Sequence, residues 1–138
     1  MNDYTLYAKK HIEEASCTLV YCNEKEVKTS GVRGVMPLFS LVQAKGSMSG
    51  FYCADKVVGK AAAFMYALLK PEELYAFVLS EKAETVLKKY GVKYYYGKLV
   101  PFIKNRKGDG FCPMEAATEN AESPGEAFEI LREKLSMK

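Results

Sequence analysis

The sequence predicts a single α/β domain that opens with an antiparallel hairpin and continues in strand–helix–strand units. Three observations predict it. Cys17 to Cys22 and Glu26 to Ser30 read as short extended arms around an Asn23-Glu24-Lys25 turn. Leu74 to Leu79 is an apolar run between turn residues, followed by a helical Ser80 to Tyr90 and a further strand, Val92 to Tyr96, which as a parallel pair crosses over right-handed. Between these lies Cys53 to Leu69, read as a helix apolar on nearly every side; a helix without a polar face is buried all round. With 138 residues, one domain accommodates the chain and buries roughly two-thirds of its unfolded surface.

Asp3 to Ala15 has Tyr4, Tyr7, Ala8, His11, Ile12 and Ala15 on one helical stripe. Thr29 to Gly34 is a small-residue loop leading to a helix over Met36 to Val42, with Pro37 in its first turn. Arg33 in that loop is placed to meet a phosphate or carboxylate, or to sit solvated at a hairpin exit. Lys45 to Gly50 is a loop, and Phe51 to Ala54 a short strand feeding the central helix. Asp55 suits the N-cap of that helix, and Lys56 and Lys60 then stand one turn apart on one face, beside the positive end of the helix dipole where cations are disfavoured. Misplaced like charges of this kind imply an anion. Pro71 ends the helix.

Ser80 is expected to cap the following helix, with Glu81 favourable in its first turn and both at the carboxyl end of a strand, where open α/β sheets bind ligands. The Tyr94-Tyr95-Tyr96 run fits strand alternation better than base stacking. Lys104 to Gly110, which includes Asn105 and Arg106, is a basic turn. Cys112-Pro113 then begins a helix, which places a thiol where the dipole favours the thiolate; the alternative is an inert, buried cysteine. Ser123-Pro124-Gly125-Glu126 forms a capping box for a last helix with Phe128, Leu131 and Leu135 inward.

The hydrophobic share of 49% and the charged share of 27% are those of an ordinary globular chain. A net charge of +3 without a basic stripe argues against nucleic acid. No run reaches membrane-spanning length, and Met1 to Lys10 is polar where a secretory signal turns apolar, so a cytoplasmic location is expected. Four cysteines outside any CxxC pairing and a single histidine, His11, leave no metal-ligand set, and free thiols and no cofactor are expected.

Arg33-Gly34, Ala54 to Ala63, Ser80-Glu81, Lys98 to Pro101, Asn105-Arg106 and Gly110 to Glu115 together resemble an uncharacterised prokaryotic family of unknown function, numbered eighteen ninety-three and classed with the cytidine-deaminase-like fold. The resemblance covers most of the chain. It implies a three-layer α/β/α domain with a mixed sheet, and it implies no activity. Zinc deaminases require a His or Cys at one helix start, a nearby Glu and a PCxxC pair at the next. This chain has Ala54-Asp55-Lys56 and Ser80-Glu81-Lys82 there, and Cys112-Pro113 inverts the Pro-Cys order one helix later.

The leading functional expectation is a small anionic or nucleotide-like ligand at the helix N-termini, held by Arg33, Asp55, Lys56, Lys60, Ser80, Glu81, Asn105 and Arg106. The alternative is a metal-independent enzyme with Cys112 as nucleophile or Lys60 as amine, and with Asp55 in the catalytic group. A homo-oligomer with charged helix starts paired across an interface is the third.

Overall fold

The computed structural model describes residues 1–32, 34–104 and 116–136. Its elements are α1 (Asp3–Glu14), β1 (Leu19–Cys22), β2 (Val27–Ser30), α2 (Met36–Gln43), β3 (Tyr52–Val58), α3 (Lys60–Leu69), β4 (Glu73–Ser80), α4 (Glu81–Lys89), β5 (Tyr94–Val100) and α5 (Pro124–Ser136). The five strands form one mixed sheet in the order β2-β1-β3-β4-β5. β1 pairs antiparallel with β2 and with β3, whereas β3–β4 and β4–β5 are parallel.

The hairpin is as expected, and Asn23 turns it by accepting hydrogen bonds from the amides of Lys25 and Glu26 through its side-chain oxygen. The main correction falls on the central segment. Tyr52–Val58 is a strand with neighbours on both sides, and Asp55 sits within it, opposite Leu19 of β1 and Ala76 of β4. Asp55 is therefore no N-cap, and Lys56 and Lys60 share no helix. Two flanking strands satisfy the backbone groups of this stretch, and the β-branched pair Val57-Val58 suits a pleated surface better than a helix. The helix begins only after Gly59, whose extended backbone (φ −99°, ψ −174°) forms the cap.

Alternate strand residues feed two separate cores. Val20, Cys22, Ala54 and Tyr75 join Ala8 and Ile12 of α1. Leu19, Cys53, Leu74 and Ala76 join the larger cluster built with α2, α3, α4 and α5. α3 occupies the middle of that larger cluster and is buried from Ala61 through Ala67, as its apolar composition predicts. Its four alanines, Ala61, Ala62, Ala63 and Ala67, admit close neighbours, and α2, α4 and α5 all pack on it. It ends in a left-handed Lys70 (φ 57°) ahead of Pro71.

The expected stripe on α1 is displaced. Thr5, Ala8 and Ile12 are buried, whereas Tyr4 and Tyr7 remain 38% and 49% exposed. A buried acid explains this: Oε1 of Glu73 accepts from the Thr5 hydroxyl and the Asn2 amide, both at 2.8 Å, and so turns the Thr5 side of the helix inward. Ser80 caps α4 by accepting from the Ala83 amide, as predicted. β5 runs to Val100, beyond the expected Tyr96, because Lys98, Leu99 and Val100 continue the ladder along β4. The capping box at α5 forms as well: Ser123 accepts from the Glu126 amide, and the Glu126 carboxylate accepts from the Glu122 amide.

Candidate functional site

Because β3 and β4 are parallel neighbours with Val58 level with Leu79, the helices that follow them start at the same edge of the sheet. Gly59 and Ser80 are their caps, so Lys60 is the first residue of α3 and Glu81 the first of α4. Within α4, Lys82, Thr85, Val86 and Lys89 fall on one face by helical period. That face and the Lys60–Phe64 side of α3 enclose a groove of about 510 Å³, finished by Tyr90, Ala121 and Glu122.

The charges are arranged along its length. Lys60 Nζ donates to the backbone carbonyl of Glu119 and lies 5.8 Å from the centre of the Phe64 ring. Lys82 Nζ pairs with Glu119 Oε1 at 3.1 Å, so one residue engages both lysines at the head of the groove. At the other end Lys89 Nζ lies 5.6 Å from the Tyr90 ring centre, and the Tyr90 hydroxyl donates to the Glu122 carbonyl at 3.4 Å. Phe64 and Tyr90 meet edge to face at 6.4 Å and form an aromatic wall.

The fold recurs in a known family. The model of a domain of unknown function, DUF1893 (TM1506), matches residues 7–135. The chain belongs to the DUF1893 family. It is also similar to the crystal structure of a DUF1893 family protein, TM1506 from Thermotoga maritima, with a TM-score of 0.89 and 27% identity over 97% of this chain and 91% of that one. No curated protein matches it.

In this DUF1893 chain the residues singled out from sequence divide into three groups. Lys60 lines the groove. Ser80 and Glu81 stand at the head of α4, but the Ser80 side chain is fully buried and committed to capping, and Glu81 is exposed. Asp55 lies deeper, on the α3 side of the sheet, where its Oδ2 accepts from the Tyr66 hydroxyl at 2.6 Å. The residue as a whole is half-buried, but its carboxyl is enclosed by protein; that burial pushes it up from 3.8 to about 7, against the pull of Tyr66 and of the Val57 and Lys56 amides. Lys56 is exposed and is not among the residues that line the groove. Arg33, Asn105, Arg106 and Cys112 lie outside the described residues.

Lys82, Lys89, Tyr90, Glu119 and Glu122 were not anticipated. The Lys82–Val86–Lys89 spacing was the available signal, a cationic edge beside an apolar stripe on a helix of known start. Among the described residues Cys17, Cys22 and Cys53 are free and buried, no group of three His, Cys, Asp or Glu side chains is placed to hold a metal ion, and no helix is long and apolar enough to cross a membrane.

Proposed function

We propose that the groove between α3 and α4 binds a small anionic, nucleotide-like ligand. The observation that supports this is the convergence of Lys60, Lys82 and Lys89 on one hollow of about 510 Å³, within the size range of roughly 300–1,000 Å³ typical of small-molecule sites. The start of α3 adds the positive end of a helix dipole to the three ammonium groups. Phe64 and Tyr90 supply apolar surface for the uncharged part of such a ligand.

We read the scaffold as the three-layer, cytidine-deaminase-like arrangement, with α1 on one face of the sheet and the remaining helices on the other. On that reading the two helix starts that carry zinc ligands in deaminases carry Gly59-Lys60 and Ser80-Glu81 here. Neither pair offers a thiolate or an imidazole, and the lysine replaces a metal's positive charge with its own.

Thermal denaturation in phosphate-free buffer tests the proposal, with a panel of nucleoside phosphates, pyrophosphate and dicarboxylates as probes. Ligand at a hundredfold excess over its Kd stabilises by about 2.7 kcal/mol, a shift that is readily measured. The expected result is stabilisation of the parent chain by at least one anion, reduced in the Lys60→Met/Lys89→Met double variant. No stabilisation by any probe, or an equal shift in both proteins, contradicts it.

A further inference from the structure

Glu119 refines the proposed anion site, and the role assigned to it here rests on that proposal. Its carbonyl and its carboxylate engage the two lysines at the head of the hollow, Lys60 and Lys82. Its neighbours are fixed: Thr118 and Ala121 are buried, and the Glu122 amide is tied into the capping box of α5. The Glu119 backbone is held as well, by its amide on the Ala116 carbonyl and by Lys60 on its own carbonyl, but its carboxylate is not, because the side chains of the Lys82–Glu119 pair are 48% and 59% exposed and exposed ion pairs hold weakly. An anchored segment thus presents one releasable carboxylate to the cationic end of the site.

We infer that Glu119 is a built-in counter-ion that neutralises Lys82 at the head of the groove until a phosphoryl dianion displaces it. A monocarboxylate exchanging for Glu119 gains nothing, since one singly charged carboxylate replaces another. A phosphoryl group brings about 1.5–2 negative charges and three acceptor oxygens at neutral pH, enough to engage Lys60 and Lys82 together. The groove therefore selects phosphorylated ligands over simple carboxylic acids, and Glu119 sets the threshold for entry.

Calorimetric titration of the full chain with inorganic pyrophosphate and with acetate tests this, using the parent protein, Glu119→Gln, Glu119→Ala and Glu129→Gln. Glu129 lies on α5, paired with Arg132 at 2.6 Å, and its substitution changes net charge equally. The expected result is pyrophosphate binding by the parent, no acetate binding, an affinity gain of about fivefold in both Glu119 variants, as loss of an exposed ion pair predicts, and no change in Glu129→Gln. Parent binding with an equal or weaker affinity in the Glu119 variants overturns the counter-ion role and leaves the groove standing. A gain shared by Glu129→Gln overturns it too, as a general charge effect. Absence of pyrophosphate binding in every protein overturns both readings.

Discussion

The hydroxyl of Tyr66, a side chain with 0% exposure at the centre of α3, donates to Asp55 of the central strand across 2.6 Å. That bond joins the two middle elements of the larger core through an acid whose proton is held up to about pH 7. Burial also drives the Tyr66 hydroxyl well above its ordinary 10.0, so the tyrosine remains the donor.

Folding stability is predicted to fall as pH climbs from 3.8 to about 7 and then to level off. Over that window the folded chain keeps the Asp55 proton and the unfolded chain has lost it, so the unfolded state binds fewer protons and gains on the folded state with rising pH. Asp55→Asn keeps an acceptor for Tyr66 without the charge. Urea midpoints at about pH 5 and about pH 8 should show the variant gaining on the parent protein as pH rises; a constant difference refutes the assignment.

Tyr66→Phe removes a donor to this buried carboxylate, and hydrogen bonds to charged groups contribute about 1.5–3 kcal/mol. The variant is expected to lose stability in that range at pH 8 and to move the Asp55 titration upward, as followed by carboxyl carbon NMR. An unmoved titration means that the hydroxyl does not act on Asp55.

Gly97 in β5 has no room for a side chain: a Cβ there would stand 2.9 Å from the Tyr75 hydroxyl and 3.0 Å from the Phe77 carbonyl. Gly97→Ala is predicted to destabilise by about 1–3 kcal/mol through overpacking. Adding Tyr75→Phe should restore only part of the loss, because the backbone contact persists. Full recovery in chemical denaturation would place the whole conflict on the hydroxyl.

Glu73 anchors the start of α1 through Asn2 and Thr5 and also pairs with Lys93 at 3.3 Å. Burial pushes its carboxyl up, but the bonds from Asn2, Thr5 and Lys93 outweigh it and hold it below 4.5. This contribution is present above that ordinary value and is lost as pH falls through the lowered one. Glu73→Gln is therefore expected to cost about 1–3 kcal/mol near neutral pH and progressively less in acid, with amide exchange of α1 accelerated first.

Much of the element order was legible because each signal was local: Asn23 for the hairpin turn, Ser80 for the α4 cap, Pro71 after α3 and Ser123 before α5. Cys53 to Val58 misled because Ala54-Asp55-Lys56 has the local look of a helix start, and only the flanking strands β1 and β4 decide otherwise. Tyr4 and Tyr7 misled in the same way, since the inward side of α1 is set by Glu73, 68 positions from Thr5. Lys60 was recognisable as a cation at a helix start, although for a helix begun one turn too early. Its companions were not, because Glu119 reaches Lys82 across 37 positions, a relationship that no periodicity carries.

The most direct test of the central claim is carbon-detected NMR of the lysine ε-methylenes and tyrosine rings during titration with adenosine diphosphate. The account predicts saturable, concerted shifts of Lys60, Lys82, Lys89 and Tyr90, with Lys56, which does not line the groove, unmoved. Shifts spread evenly over the surface lysines, or centred on Lys56 rather than the groove, would contradict it.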